Sequence, residues 1–306
     1  IAPWSGRFFF DEFDLLIIVC LVVGYTRIRR LPSGTRHTEI LFRIASGLLF
    51  ISFAISAFRG LSPWHMLDAN TFSNYYSPFN ALRITKAALW AFLLYGLLAR
   101  IVFAGHNVPR LFASGMVIGV AGTLLLVVWE RITFPGLLNF SDVYRVTGPF
   151  SQMHVGGADV ETYLTIGTPF LVMLLFEKCS LWLRIACALL LLVTTYGVMV
   201  TFSRVGYLGF SVAFTLALIA EIMRRSESYN PIQLFKRAAI PLILFLAVLG
   251  VGTPIFFSQF AQERLALIST DLAARQNHWE AALRMRDADW ATTLLGMGVG
   301  RYPETH

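Results

Sequence analysis

Between Ile185 and Ala220 the chain runs IACALLLLVTTYGVMVTFSRVGYLGFSVAFTLALIA, an almost wholly apolar stretch whose only charged residue is Arg204. As one helix rising ~1.5 Å per residue it would exceed about 50 Å, whereas the hydrocarbon core of a bilayer is only ~30 Å thick. The run must therefore be two spans. The simplest division puts Ser203 and Arg204 at the junction, at one face of the membrane. Charge is costly beside hydrocarbon, so a guanidinium kept there calls for a reason.

Composition supports an integral membrane protein: 56% of the residues are hydrophobic, only 14% are charged, and 26 are phenylalanine. The formal charge of +7 does not point to nucleic acid, because the basic residues are spread among short loops and form no basic domain able to hold a duplex. Cys20, Cys179 and Cys187 fall in or beside apolar spans with no CxxC or zinc spacing, and read as small core residues. The chain starts at Ile1 without an initiator Met and stops at His306 in a polar stretch. Both ends read as cut, so a fragment of a longer polytopic protein is expected. Asp11, Glu12 and Asp14 precede the first apolar stretch where a signal peptide would carry a basic region, so no cleavable signal is expected.

Hydropathy gives about eight candidate spans, near 13–26, 40–58, 85–104, 112–130, 160–176, 182–203, 205–223 and 238–257. The predicted architecture is all-α: a transmembrane helix bundle over 1–257, followed by a partly helical extracytoplasmic loop over 258–306. Linkers 27–39, 105–111, 177–181 and 224–237 hold Arg27, Arg29, Arg30, Arg36, Arg110, Lys178, Arg224, Arg225, Lys236 and Arg237, which assigns them to the cytoplasm. The stretches 59–84 and 131–159, the Ser203/Arg204 hinge and everything after Ser258 then share the opposite side. From Asp271 to Trp290 the tail has helical character, with Leu272, Trp279, Ala282, Leu283 and Met285 as an approximate apolar stripe. Arg275 and His278 share a face of that helix. Gly296, Gly298 and Gly300 then break it and permit close backbone approach to a ligand or to another helix.

Four pieces in fixed order carry a family resemblance. Residues 146–164, VTGPFSQMHVGGADVETYL, hold Gly148 and Phe150 before a small-residue turn; TFSRVGYLGF, 201–210, holds Ser203, Arg204 and Gly209, with Val205 where a small residue is usual. ARQNHWEAAL, 274–283, holds Arg275 and Trp279, and LLGMGVGRY, 294–302, ends in a Gly-x-Gly-x-Gly-aromatic pattern. In this order the pieces resemble the bacterial O-antigen ligase and O-antigen polymerase superfamily of polytopic membrane glycosyltransferases, over roughly residues 140–302. Ligases of that family carry a further loop histidine, which His306 does not match.

The resemblance implies a GT-C-like bundle in the bacterial inner (cytoplasmic) membrane, with the large loop periplasmic. It implies transfer or polymerisation of glycan from an undecaprenyl-diphosphate-linked donor onto a sugar hydroxyl of a glycan or lipid acceptor, with no metal ion or other cofactor. A diphosphate leaving group without a metal calls for guanidinium groups, which are always charged and bind phosphate in bidentate fashion. Arg204 and Arg275 are the candidates for that clamp. Arg264, Gly298 and Gly300 are carried as further substrate-binding candidates, and His278 and His154 as candidate bases for the acceptor hydroxyl. Each has a plainer reading. Arg204 as a snorkelling interfacial residue, Arg275 and Arg264 as solvated or ion-paired surface residues, and His278 as packing beside Trp279 all stay open. The rival from another class is a secondary transporter or flippase for a lipid-linked or anionic substrate, which predicts broken spans in matching halves.

Overall fold

The computed structural model describes residues 12–27, 37–66, 77, 79–103, 108–150, 158–177, 180–226 and 231–301. Among them all regular structure is helical: α1 (Glu12–Arg27), α2 (His37–Gly60), α3 (Asn80–Phe103), α4 (Val108–Thr133), α5 (Ala158–Phe176), α6 (Leu181–Met199), α7 (Arg204–Ser226), α8 (Pro231–Phe256), α9 (Gln259–Ala266), α10 (Ile268–Arg284) and α11 (Trp290–Leu295). A helix stands in each of the eight apolar stretches. Within α3 to α7, five stretches are long and apolar enough to cross a bilayer by length and composition: Asn80–Ile101, Pro109–Thr133, Asp159–Phe176, Leu181–Met199 and Arg204–Arg224. The described apolar part of α2, Ile44–Gly60, is shorter, and α1 has only 16 residues. Leu242–Phe256 of α8 meets α9 at a bend of 77°, and the two count as a sixth span only if taken together. The chain is thus an all-helical, multi-pass membrane protein. Leu125, Ile118 and Leu48 stand 72%, 73% and 62% exposed on helix surfaces, as side chains facing lipid rather than water do.

Two compact units divide the chain: residues 1–108 with 272–306, and residues 109–271. In the first unit, α1 and α2 each pack on α3. Ile17 and Leu21 of α1 bury against Leu97 of α3. Asp14, 1% exposed, is held by Lys86 Nζ at 2.5 Å and by the Trp90 indole N–H at 2.6 Å. A buried carboxylate is tolerated when its lone pairs are met in this way, which accounts for an acid inside an apolar helix.

In the second unit α5 packs on both α6 and α7, and α6 also packs on α8. The core is apolar, centred on Leu164, Leu191, Val198, Phe210 and Phe214. Helices in lipid gain little from the hydrophobic effect between them and rely on close packing at small residues. Gly119 accordingly faces the Tyr163 ring, Gly167 faces Val120, and Gly197 lies between Leu124 and Leu164.

Candidate functional site

The long apolar run breaks where its length requires. α6 ends at Met199 and α7 begins at Arg204, and Val200 to Ser203 turn the chain between them. The turn is closed by backbone N–H groups of Val200, Thr201 and Phe202 donating to Tyr196, Val198 and Met199 carbonyls at 3.0, 3.2 and 3.1 Å. Phe202 sits at φ 50°, in the left-handed region that costs a non-glycine residue roughly 1–2 kcal/mol. Burial of its ring, which meets Phe260 of α9 edge-on at 4.8 Å between centroids, holds it there. Ser203 then caps α7: its hydroxyl oxygen accepts from Gly206 N–H at 3.3 Å, and its O–H donates to Glu161 Oε1 at 2.6 Å.

Arg204 occupies the first position of α7, where the helix dipole disfavours a cation. Asp271 in the first turn of α10 offsets this, its Oδ2 lying 2.5 Å from Arg204 Nη2. Beside Arg204 a cavity of about 500 Å³ opens between α7 and α8, lined by Tyr207, Phe210, Phe214, Phe245, Val248 and Phe256 among others. Its walls are overwhelmingly apolar, and among the described residues its one charged lining residue is Arg204. A chain of hydrocarbon with an anionic end matches that distribution, since an anion there meets both a guanidinium and a helix N-terminus.

Two more arginines converge on the hinge from other elements. Arg145, in the loop after α4, donates through Nε to the Thr201 carbonyl at 2.8 Å. Burial, and then the neighbouring Arg264 guanidinium, pull Arg145 below the ordinary arginine value, while Glu161 and Tyr207 act in the opposite sense. Arg264 belongs to α9, and its buried Nε has no hydrogen-bond partner among the described residues. Glu161, one turn into α5, is 6% exposed; the Ser203 hydroxyl donates to Oε1, and the Thr201 side chain also lies beside the carboxylate. That carboxylate lies against Gly206, where an added Cβ would stand 3.2 Å from Oε2.

The loop that presents Arg145 is tied down by the adjacent charges Glu130 and Arg131 at the end of α4. Glu130, 6% exposed, accepts from the N–H groups of Thr147 at 3.0 Å and Gly148 at 2.7 Å and from the Tyr144 hydroxyl at 2.8 Å. Burial, followed by the hydrogen bond and charge of Glu130, pushes the Tyr144 phenol up to about 12. Arg131, fully buried, donates through Nη2 to the Asn139 carbonyl at 2.6 Å and through Nε to the Tyr196 hydroxyl at 3.3 Å. Gly148, matched in the family resemblance, is needed here for its φ of 55° and its contact with Val127.

Of the residues singled out from sequence, Arg204 and Arg264 both lie in the second unit and both border the hinge region. Arg275 and His278 are exposed on α10 within the first unit; Gly298 and Gly300, also in the first unit, are half-buried. His154 lies outside the described residues. Gly298 and Gly300 make their close approach to helix backbone: a Cβ at Gly298 would collide with Gly60 at the end of α2, and one at Gly300 would stand 2.8 Å from the Ala81 nitrogen in α3. The same segment is stitched by Val299 N–H donating to the Ser56 carbonyl at 3.1 Å and by the Asn80 side-chain amide donating to the Gly300 carbonyl at 3.0 Å. Arg145 and Glu161 are the two members of the hinge cluster that motif order does not reveal. No protein-family model, no curated protein and no solved structure shows a significant match to this chain.

Proposed function

We propose that this protein is a membrane glycosyltransferase of the O-antigen ligase or polymerase type, transferring or polymerising glycan from an undecaprenyl-diphosphate-linked donor onto a sugar hydroxyl of a glycan or lipid acceptor. The observation that carries this reading is the apolar cavity between α7 and α8, in which Arg204 is the only charged lining residue among the described residues. In this reading a polyprenyl chain lies along Phe210, Phe214 and Phe245, and its diphosphate displaces Asp271 from Arg204. Arg275 supplies a second guanidinium, and His278 or His154 removes the acceptor proton. Two guanidiniums take the place of a metal ion in neutralising the departing diphosphate. The chain then lies in the bacterial inner membrane with about eight spans in a GT-C-like layout, the hinge and the residues after Ser258 facing the periplasm.

The test is glycan transfer by the full-length protein in proteoliposomes supplied with an undecaprenyl-diphosphate-linked oligosaccharide and an acceptor glycan, in the presence of EDTA. Transfer that persists in EDTA and is lost in both Arg204→Ala and Arg204→Lys is the expected result, the lysine separating bidentate binding from mere charge. Undiminished transfer with alanine at both Arg204 and Arg275 overturns the clamp. The rival reading is a transporter or flippase, to which the 77° bend between α8 and α9 lends one discontinuous span but, among the described residues, no matching partner in the first half of the chain. That reading predicts movement of the lipid-linked sugar across the bilayer with no new glycosidic bond.

A further inference from the structure

The segment from α11 to Gly300 is fixed at the ends of two membrane helices. Buried Thr292 accepts from Arg59 Nη2 at 2.9 Å, and Asn80, at the start of the Asn80–Ile101 span, donates its side-chain amide to the Gly300 carbonyl at 3.0 Å. Val299 N–H reaches the Ser56 carbonyl at 3.1 Å, one turn before the end of the apolar helix Ile44–Gly60. At ~1.5 Å per residue that contact lies about 6 Å inside the helix end, which is the depth of the headgroup layer flanking the ~30 Å hydrocarbon core. The missing Cβ of Gly298 is what lets the backbone come in over Gly60. The segment therefore runs at the level of the lipid headgroups and not in the water above them.

What this part of the chain turns outward is apolar. In α11 Thr292 faces the protein, while Trp290 and Leu294, one turn apart, stand 76% and 74% exposed. From Leu272 on, α10 repeats the arrangement: Leu272, Trp279 and Leu283 fall within about 40° of one another around the helix and are all exposed, with Ala281 half-buried on the opposite side. Next to the Arg59 that holds Thr292, exposed Phe58 meets exposed Trp64 edge-on, with centroids 6.1 Å apart. Tryptophan exposed at the end of a span belongs to the membrane–water interface, and apolar side chains gathered in this way are costly to leave in water. Charge does not supply the attraction, because from 272 to 300 Arg275, Arg284 and Arg286 are balanced by Glu280, Asp287 and Asp289.

We propose that α11 and the outward stripe of α10 anchor the tail to the bilayer surface, with Trp279, Leu283, Trp290 and Leu294 inserted at the boundary between headgroups and acyl chains. The partner is lipid hydrocarbon, and a zwitterionic bilayer suffices. The tail is then an interfacial element lying on the membrane, a placement that does not depend on the transferase reading.

Spin-label EPR of the full-length protein in phosphatidylcholine vesicles decides the matter, with labels on Leu283→Cys, Leu294→Cys and, as reference, Asn277→Cys, each in a background of Cys20→Ala, Cys179→Ala and Cys187→Ala. Asn277 is exposed on α10 about 140° from Leu272, away from the stripe. A nitroxide at the boundary meets dissolved oxygen more often, and a water-soluble nickel chelate less often, than one in water. The ratio of these collision rates is expected to be roughly threefold or more higher at positions 283 and 294 than at 277. It should stay so when about a third of the lipid is phosphatidylglycerol and when salt is raised to about 0.5 M. A ratio at either position equal to that at 277 overturns the proposal. So does a raised ratio seen only with phosphatidylglycerol, which would make the contact electrostatic. Dipolar broadening that vanishes on dilution with unlabelled protein also overturns it, by placing a second copy on this face. Both labelled side chains are exposed, and should one variant fail to fold, the other decides. No turnover enters the measurement, so absence of glycan transfer would count against the transferase reading and leave this one standing.

Discussion

Asp271 pairs with Arg204, so a phosphate drawn to the guanidinium competes with this carboxylate. The perturbation is Asp271→Asn, which removes the competing charge and keeps the shape. The pair is short, 2.5 Å, but partly open to solvent, with side chains 20% and 41% exposed. An ion pair of that exposure is worth roughly 0.2–1 kcal/mol after screening. Its loss therefore destabilises the fold by about 1 kcal/mol at most, and the same increment no longer opposes ligand binding. Since 1.4 kcal/mol is tenfold in affinity, the expected gain is about 1.4- to 5-fold tighter binding. The assay is equilibrium binding of farnesyl diphosphate to the full-length protein in detergent, at low ionic strength and again at 0.5 M salt. Asp271→Asn should bind more tightly than wild type at low salt, with the advantage shrinking at high salt, whereas Arg204→Ala should bind at least tenfold more weakly. The reasoning is refuted if Asp271→Asn weakens binding as far as Arg204→Ala does, for the carboxylate would then be a support of the site and not a competitor.

Glu130→Gln replaces an acceptor of three short hydrogen bonds by a group that turns an NH₂ toward backbone donors, with an expected loss of about 3–5 kcal/mol, read as a large fall in thermal midpoint in detergent. Tyr144 gives a pH signature. Its folded value of about 12 stands above the ordinary 10, so its contribution to stability is complete below pH 10 and is lost as pH rises toward 12. Tyr144→Phe should accordingly be less stable than wild type at pH 8 but lose midpoint more slowly between pH 10 and 12; parallel slopes would speak against a shifted phenol. Gly298→Ala combines a φ of 110° with a collision against Gly60, and should cost more than ~2 kcal/mol and abolish expression of folded protein, as judged by monodispersity in size-exclusion chromatography.

Much of this fold is legible from periodicity and length alone. Hydrocarbon thickness forces a break near Arg204, and the structure breaks the run at Val200–Ser203. The eight apolar stretches become helices because lipid leaves their backbone polar groups no partner but one another, even where Pro169 within α5 removes one donor. What does not follow from one-dimensional pattern is which charges meet. Glu161, Arg145 and Arg264 lie on three separate elements, and only packing of α5 against α7 and the path of the loop after α4 bring them to one hinge. A partial signal was nonetheless present: Glu161 lies one turn inside an apolar helix, and Glu130 and Arg131 end another, so the costliness of buried charge that marks Arg204 marks them as well. The tail glycines illustrate the opposite case. Alternating glycines announce a close backbone approach, yet whether the neighbour is a ligand or a helix depends on α2 and α3, which are more than two hundred residues away in sequence.

Phe202 ties the placement of two arginines to one ring contact. Its backbone sits at φ 50° with its ring buried against Phe260, and Phe260 rides on the same short helix that carries Arg264. Ser203 and Arg204 follow Phe202 directly in the chain, so the start of α7 and the arginine-bearing α9 are registered to each other through a single pair of phenyl rings.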